Sequence, residues 1–177
     1  MERRSAIRDL VLIAGGAILL PACKATPENS SVKLKNIKID ANQERLLAAI
    51  ASTIIPSTDT PGAAEVGAHL FVIKMLDDLY EKDVQQNFIK GLQQLEADTK
   101  KQLDKSFINC NSDQKQKILL DIESKKGYSK EVFGFYEIMK QRTIEGYLNS
   151  EYVMTKVVKY EMIPTHKYDG YYPVKNL

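Results

Sequence analysis

The chain has 177 residues, 44% of them hydrophobic and 27% charged, which is enough for one folded domain with an ordinary core. Its 25 basic and 23 acidic side chains nearly cancel, so there is no electrostatic reason to expect nucleic acid as a partner. Two cysteines exclude a multi-disulfide scaffold.

The first residues read as an export signal. Met1 to Asp9 is short and charged, with Arg3 and Arg4 adjacent and Arg8 following, and Leu10 to Leu20 is an unbroken apolar run. A helix of that length spans only about half of a bilayer core, too little for a stable transmembrane segment. A basic stretch before a short apolar run is the pattern of a secretory signal. The run ends in Leu20-Pro21-Ala22-Cys23, which resembles a lipobox. The small Ala22 suits cleavage before Cys23, whose thiol would carry a thioether-linked diacylglycerol. Pro21 is an unusual spacer in that motif. Arg3-Arg4 with Ile7 and Arg8 also resembles a twin-arginine signal, although Glu2 stands where Ser or Thr is typical. The apolar run is compatible with that route and with the general secretory one.

Residues 1–22 are therefore expected to be removed, leaving 155 residues. Residues 23–39 then form the acylated Cys23 and a polar, aperiodic tether, and residues 40–177 form the domain. With Cys23 acylated, Cys110 has no partner in the chain and reads as an incidental thiol between two Asn residues.

From Asp40 onward the apolar spacing is helical. Asp40 and Gln43 predict a capping box, Leu46, Leu47, Ile50 and Ile54 an inner face, and Pro56 a stop. Ser57 to Gly62 is a turn-rich loop. A second helix is predicted over residues 64–80 with Leu70, Ile73 and Leu76 inward. A third is predicted over 83–103 with Val84, Phe88, Leu92 and Leu95 inward; Gly91 inside it should weaken it by about 1 kcal/mol relative to Ala. Residues 106–111 connect to a fourth helix capped by Ser112, with Ile118, Leu119 and Ile122 inward. Gly127 ends that helix, and a fifth follows over 130–148 with Val132, Phe133, Tyr136, Met139 and Ile144 inward. Ser150 can cap a short sixth helix to Val158. Residues 159–177, with Pro164, Gly170 and Pro173, read as irregular. No stretch alternates with period two, so the fold class is all-α: one helical domain of about five to six helices with an irregular C-terminal tail.

The segment Ile54-Ile55-Pro56-Ser57-Thr58-Asp59-Thr60-Pro61-Gly62-Ala63 closely resembles the IIPxTDTPGA motif of the gluconate 2-dehydrogenase subunit 3 family. A second block, Gly146-Tyr147-Leu148-Asn149-Ser150-Glu151, then Tyr160, Pro164 and Tyr168-Asp169-Gly170 before Pro173, strengthens the resemblance. Where the family often has Gly shortly after the proline, this chain has Thr165-His166-Lys167. The resemblance covers roughly residues 42–173. It implies a non-catalytic small subunit that associates with a large FAD-containing subunit of the glucose-methanol-choline oxidoreductase type, acting on a sugar or sugar acid. In some systems a cytochrome c subunit, carrying haem c, takes the electrons onward. It also implies that the small subunit bears the export signal for a folded flavoprotein, in agreement with Arg3-Arg4.

The residues themselves point the same way. Thr58 and Asp59 can bond local backbone, and Pro61-Gly62 supplies a tight turn, so Pro56, Thr58, Asp59, Thr60, Pro61 and Gly62 read as a structural or partner-contact loop. One carboxylate is a poor metal site. His69 and His166 are the only histidines and lie far apart, and zinc needs three or four protein ligands. Haem-attachment, dinucleotide and phosphate-loop motifs are all missing from the sequence. Asp77-Asp78 reads as solvated charge. Five of the nine tyrosines fall at Tyr152, Tyr160, Tyr168, Tyr171 and Tyr172, and tyrosine is favoured at interfaces. Those of the tail, with Tyr147, are either partner contacts or a wrap over the chain's own core.

The expectation is thus a lipid-anchored accessory subunit in the bacterial cell envelope, facing the periplasm or the outside, with no cofactor or metal of its own. A stand-alone helical envelope lipoprotein that binds an unrelated protein is the alternative. A cofactor-free enzyme using His69 or His166 is a third.

Overall fold

The computed structural model describes residues 30–161. Within them lie five α-helices, α1 (Ala41–Ile54), α2 (Ala68–Leu79), α3 (Lys82–Leu103), α4 (Ser112–Glu123) and α5 (Lys130–Leu148). A 3-10 turn at Phe107–Asn109 and a π-helical turn at Val153–Val157 complete the set, and no strand forms among the described residues. The all-α reading holds. The signal segment, with Arg3, Arg4 and Cys23, lies outside the described residues, as does the tail beyond Glu161.

Local chemistry sets the helix ends. Asp40 Oδ1 accepts the N–H groups of Asn42 and Gln43 at 2.8 Å each, while the Asp40 N–H donates to Gln43 Oε1 at 3.0 Å, which is the predicted capping box. Several boundaries differ from expectation, and α4 ends at Glu123 rather than at Gly127. The second helix starts at Ala68 rather than Ala64, because Gly67 adopts φ +74° and the residues before it close turns instead. The cap of α4 is Asn111 rather than Ser112: its side chain accepts the Gln114 N–H at 2.9 Å, and the Asn111 N–H donates to Gln114 Oε1 at 3.2 Å. The same box pattern was present in the sequence one residue earlier. Ser150 does cap the last helical turn, its Oγ accepting the Val153 N–H at 3.3 Å.

Helix α5 is the centre of the domain. It packs along α3 and α2 and also touches α1 and α4. Its buried face is Val132, Phe135, Tyr136, Met139, Thr143 and Gly146. That stripe is rotated from the expected one, leaving Phe133 half-buried and Ile144 at the surface. At the crossing with α3, Phe88 and Phe135 meet edge to face with ring centroids 4.7 Å apart. Gly91 sits at the closest approach: a Cβ there would lie 2.4 Å from the Glu131 carbonyl oxygen and 2.5 Å from Phe135 Cβ. Its role is therefore close packing, which outweighs the local cost to helix propensity. Cys110 is buried, its thiol donating to the Ser106 carbonyl at 3.5 Å.

The segment read as a tether is partly domain. Residues 30–39 form an arm docked on α1 and α2, with Ile37 and Ile39 buried. Asp77, expected to be solvated, holds it. Oδ2 accepts the Lys35 N–H at 2.8 Å, and Oδ1 accepts those of Asn36 at 2.7 Å and Ile37 at 3.0 Å. At the other end Glu44 accepts both hydroxyls and one N–H of Ser30 and Ser31. Pairing of this kind is what permits a buried carboxylate.

Candidate partner-docking surface

The two sequence blocks meet in space. The chain leaves α1 at Ile55, turns through the motif loop, and returns so that the Ala63 N–H donates to the Ile55 carbonyl at 2.9 Å. Within the loop the Thr58 N–H donates to the Thr60 carbonyl at 3.0 Å and the Thr58 hydroxyl to Asp59 Oδ1 at 2.9 Å. Gly62 is buried where the loop's two limbs cross, and a Cβ there would stand 2.7 Å from the Ser57 nitrogen. Pro56, Thr58 and Asp59 are exposed, while Thr60 and Pro61 are half-buried. The loop is held by its own backbone, and it presents hydroxyl, carboxylate and proline surface outward.

From α5 the Tyr147 hydroxyl donates to the Pro61 carbonyl at 3.1 Å, tying the second block to the first. Gly146 packs on Phe71, where an added Cβ would come within 2.8 Å of the ring. A groove of about 520 Å³ runs between the loop and the last helical turn, lined by Pro61, Glu65, Val66, Glu151, Tyr152 and Lys156.

Large apolar side chains in the last described segment are exposed. Leu148 is 55% exposed, Val157 61%, Val158 57% and Tyr160 58%. Large apolar groups concentrated in one short segment mark an interaction surface more often than isolated ones do. Of the tyrosines singled out in the sequence, Tyr147 is half-buried and bonded to the loop and Tyr160 is exposed. Tyr168, Tyr171 and Tyr172 lie outside the described residues, as do Pro164 and His166. Sequence reading did not single out Leu148, Val157 or Val158 as surface contacts. Leu148 stands four residues after Ile144, on the face expected to be inward, and the observed stripe of α5 leaves both exposed.

Asp77, Glu44 and His69 have shifted protonation equilibria. Burial raises the Asp77 carboxyl, but the three N–H donors hold it below its ordinary value. Glu44 follows the same balance, with the Ser31 and Ser30 bonds prevailing over burial. Burial pushes the His69 imidazole down, and Glu44 opposes the shift. Its Nδ1 is buried with no hydrogen-bond partner among the described residues, and no nucleophile is bonded to it. Among the described residues no group of three His, Cys, Asp or Glu side chains could hold a metal ion. No helix there is long and apolar enough to cross a membrane.

The two blocks that carry the resemblance thus meet at one end of the described domain, joined through Tyr147 and Pro61. The family model described as Gluconate 2-dehydrogenase subunit 3 matches residues 41–165, and the chain belongs to that family. Neither a search of curated proteins nor one of solved structures returns a match.

Proposed function

We propose that this chain is the non-catalytic accessory subunit of a flavin-dependent sugar or sugar-acid dehydrogenase. In this reading it binds an FAD-containing large subunit of the glucose-methanol-choline type, accompanies it across the membrane through the Arg3-Arg4 signal, and anchors it in the cell envelope through acylated Cys23. FAD, and haem c where a cytochrome subunit is present, belong to the partners. The observation that carries the proposal is the joining of the motif loop to α5 through Tyr147 and Pro61, together with the exposed Leu148, Val157, Val158 and Tyr160. Family membership supplies the dehydrogenase context.

The surface can be tested without disturbing the core. Leu148→Glu and Val157→Glu replace exposed side chains, so each variant should fold like the parent. Each puts a carboxylate into the docking face, and its desolvation on binding should weaken the complex roughly tenfold or more. Titration of the flavoprotein against each variant by calorimetry reads this directly. Unchanged affinity in both would place the partner elsewhere.

A further inference from the structure

The docked arm carries charge of one sign. Residues 30–39 contain Lys33, Lys35 and Lys38 and no carboxylate before Asp40. The arm's apolar side chains turn toward the domain, with Ile37 and Ile39 buried and Leu34 packed on the core, while all three lysines are exposed. None of the ion pairs among the described residues uses them. The carboxylates around the arm are already engaged: Asp77 and Glu44 hold its backbone and serines, Asp40 caps α1, and Asp78 pairs with Lys74. Beside the lysines lies an open concavity of about 700 Å³, lined in part by Ser30, Ser31, Lys33, Lys38, Asp40 and Gln43.

The position of this face in the chain identifies its occupant. Seven peptide links separate Cys23 from Ser30. An extended chain covers at most about 3.5 Å per link, so a lipid on Cys23 would keep the start of the arm within roughly 25 Å of the bilayer. Were the arm free to Asp40, the reach would be roughly 60 Å. With a lipid on Cys23, Asp77 and Glu44 would shorten the leash between the anchor and the lysine-bearing arm.

We propose that the Lys33–Lys35–Lys38 face of the docked arm lies against anionic lipid headgroups and orients the domain on the membrane. This rests on the acylation of Cys23 and adds a second, electrostatic contact to it. Lysines near an anionic surface each strengthen binding several-fold, and salt screens the effect.

The test supplies the lipid chemically. The chain from residue 23 onward, with Cys110→Ala, is given one acyl chain on Cys23, because a single chain alone binds membranes only marginally and leaves the lysine contribution visible. Vesicles of phosphatidylcholine, alone or mixed with phosphatidylglycerol, are the probe in a sedimentation assay. The proposal expects binding on the order of 100-fold tighter to the mixed vesicles at low salt. Lys33→Gln/Lys35→Gln/Lys38→Gln should remove that gain. A control with the same loss of charge at the exposed Lys101, Lys117 and Lys126 should keep it. Equal binding to both vesicle types, or equal loss in the two triple variants, overturns the proposal. Whether the cell acylates Cys23 is read separately from the mass of the native N-terminal peptide, so the two failures are distinguishable.

Discussion

Gly91→Ala lowers the unfolding free energy by about 2 kcal/mol, although alanine is the better helix former. On propensity alone the substitution should gain up to about 1 kcal/mol. The new methyl, however, would stand 2.4 Å from the Glu131 carbonyl oxygen and 2.5 Å from Phe135 Cβ, atoms that belong to the central helix and cannot swing away. Helices α3 and α5 must separate, and the Phe88–Phe135 contact opens with them. Overpacking of this kind costs about 1–3 kcal/mol, occasionally more, and here it prevails. The melting temperature should fall by about 4–8 °C. Gly134→Ala on α5 is the matched control: its Cβ meets nothing within 4 Å, so propensity acts alone and stability should rise by up to about 1 kcal/mol. Thermal unfolding of the two variants side by side checks the opposite signs.

Asp77→Ala costs about 2–3 kcal/mol and frees the arm. Three backbone N–H groups lose a charged acceptor, and Ile37 and Ile39 lose the anchorage that keeps them buried. Asp77→Asn keeps one oxygen for two of the donors but sets an amide N–H₂ against the Lys35 N–H, so its loss should be intermediate. The pH dependence has a definite sign. The folded Asp77 pKa lies below its ordinary 3.8, so its contribution is fully present above that value and is lost as pH falls through the folded pKa. The stability gap between parent and Asp77→Asn should therefore hold near neutrality and close in acid below about pH 4. Denaturant titrations across that range measure it, and amide exchange at Lys35, Asn36 and Ile37 reports release of the arm directly. A gap that widened in acid would contradict the carboxylate's role.

Much of the helical plan was legible because it depends on neighbours in sequence. The Asp40–Gln43 box, the stop before Pro56 and the Leu46–Leu47–Ile50 face are set by hydrogen bonds and spacing within a few residues. What escaped depends on distant partners. Asp77 looks like surface charge beside Asp78 until residues 35–37 fold over it, forty or more positions away. Gly91 looks like a weak point until α5 crosses it. The arm looks like linker because its apolar residues are few and interleaved with lysines, a pattern that reads as polar until Ile37 and Ile39 find the core. The motif loop was recognisable as a block and as a turn. Its bond to Tyr147 spans 86 positions and was beyond any local rule. Cys110, flanked by Asn on both sides, is buried through the Phe107–Asn109 turn, another tertiary outcome.

Isolation of the complex decides whether this domain is a subunit. The tagged full-length chain, drawn from its native membranes in mild detergent, is analysed by mass spectrometry together with a visible absorbance scan. The account predicts a stoichiometric yellow partner of the glucose-methanol-choline type, with the flavin spectrum travelling with the tag. A colourless, partner-free chain under the same conditions would contradict it and favour a stand-alone envelope lipoprotein.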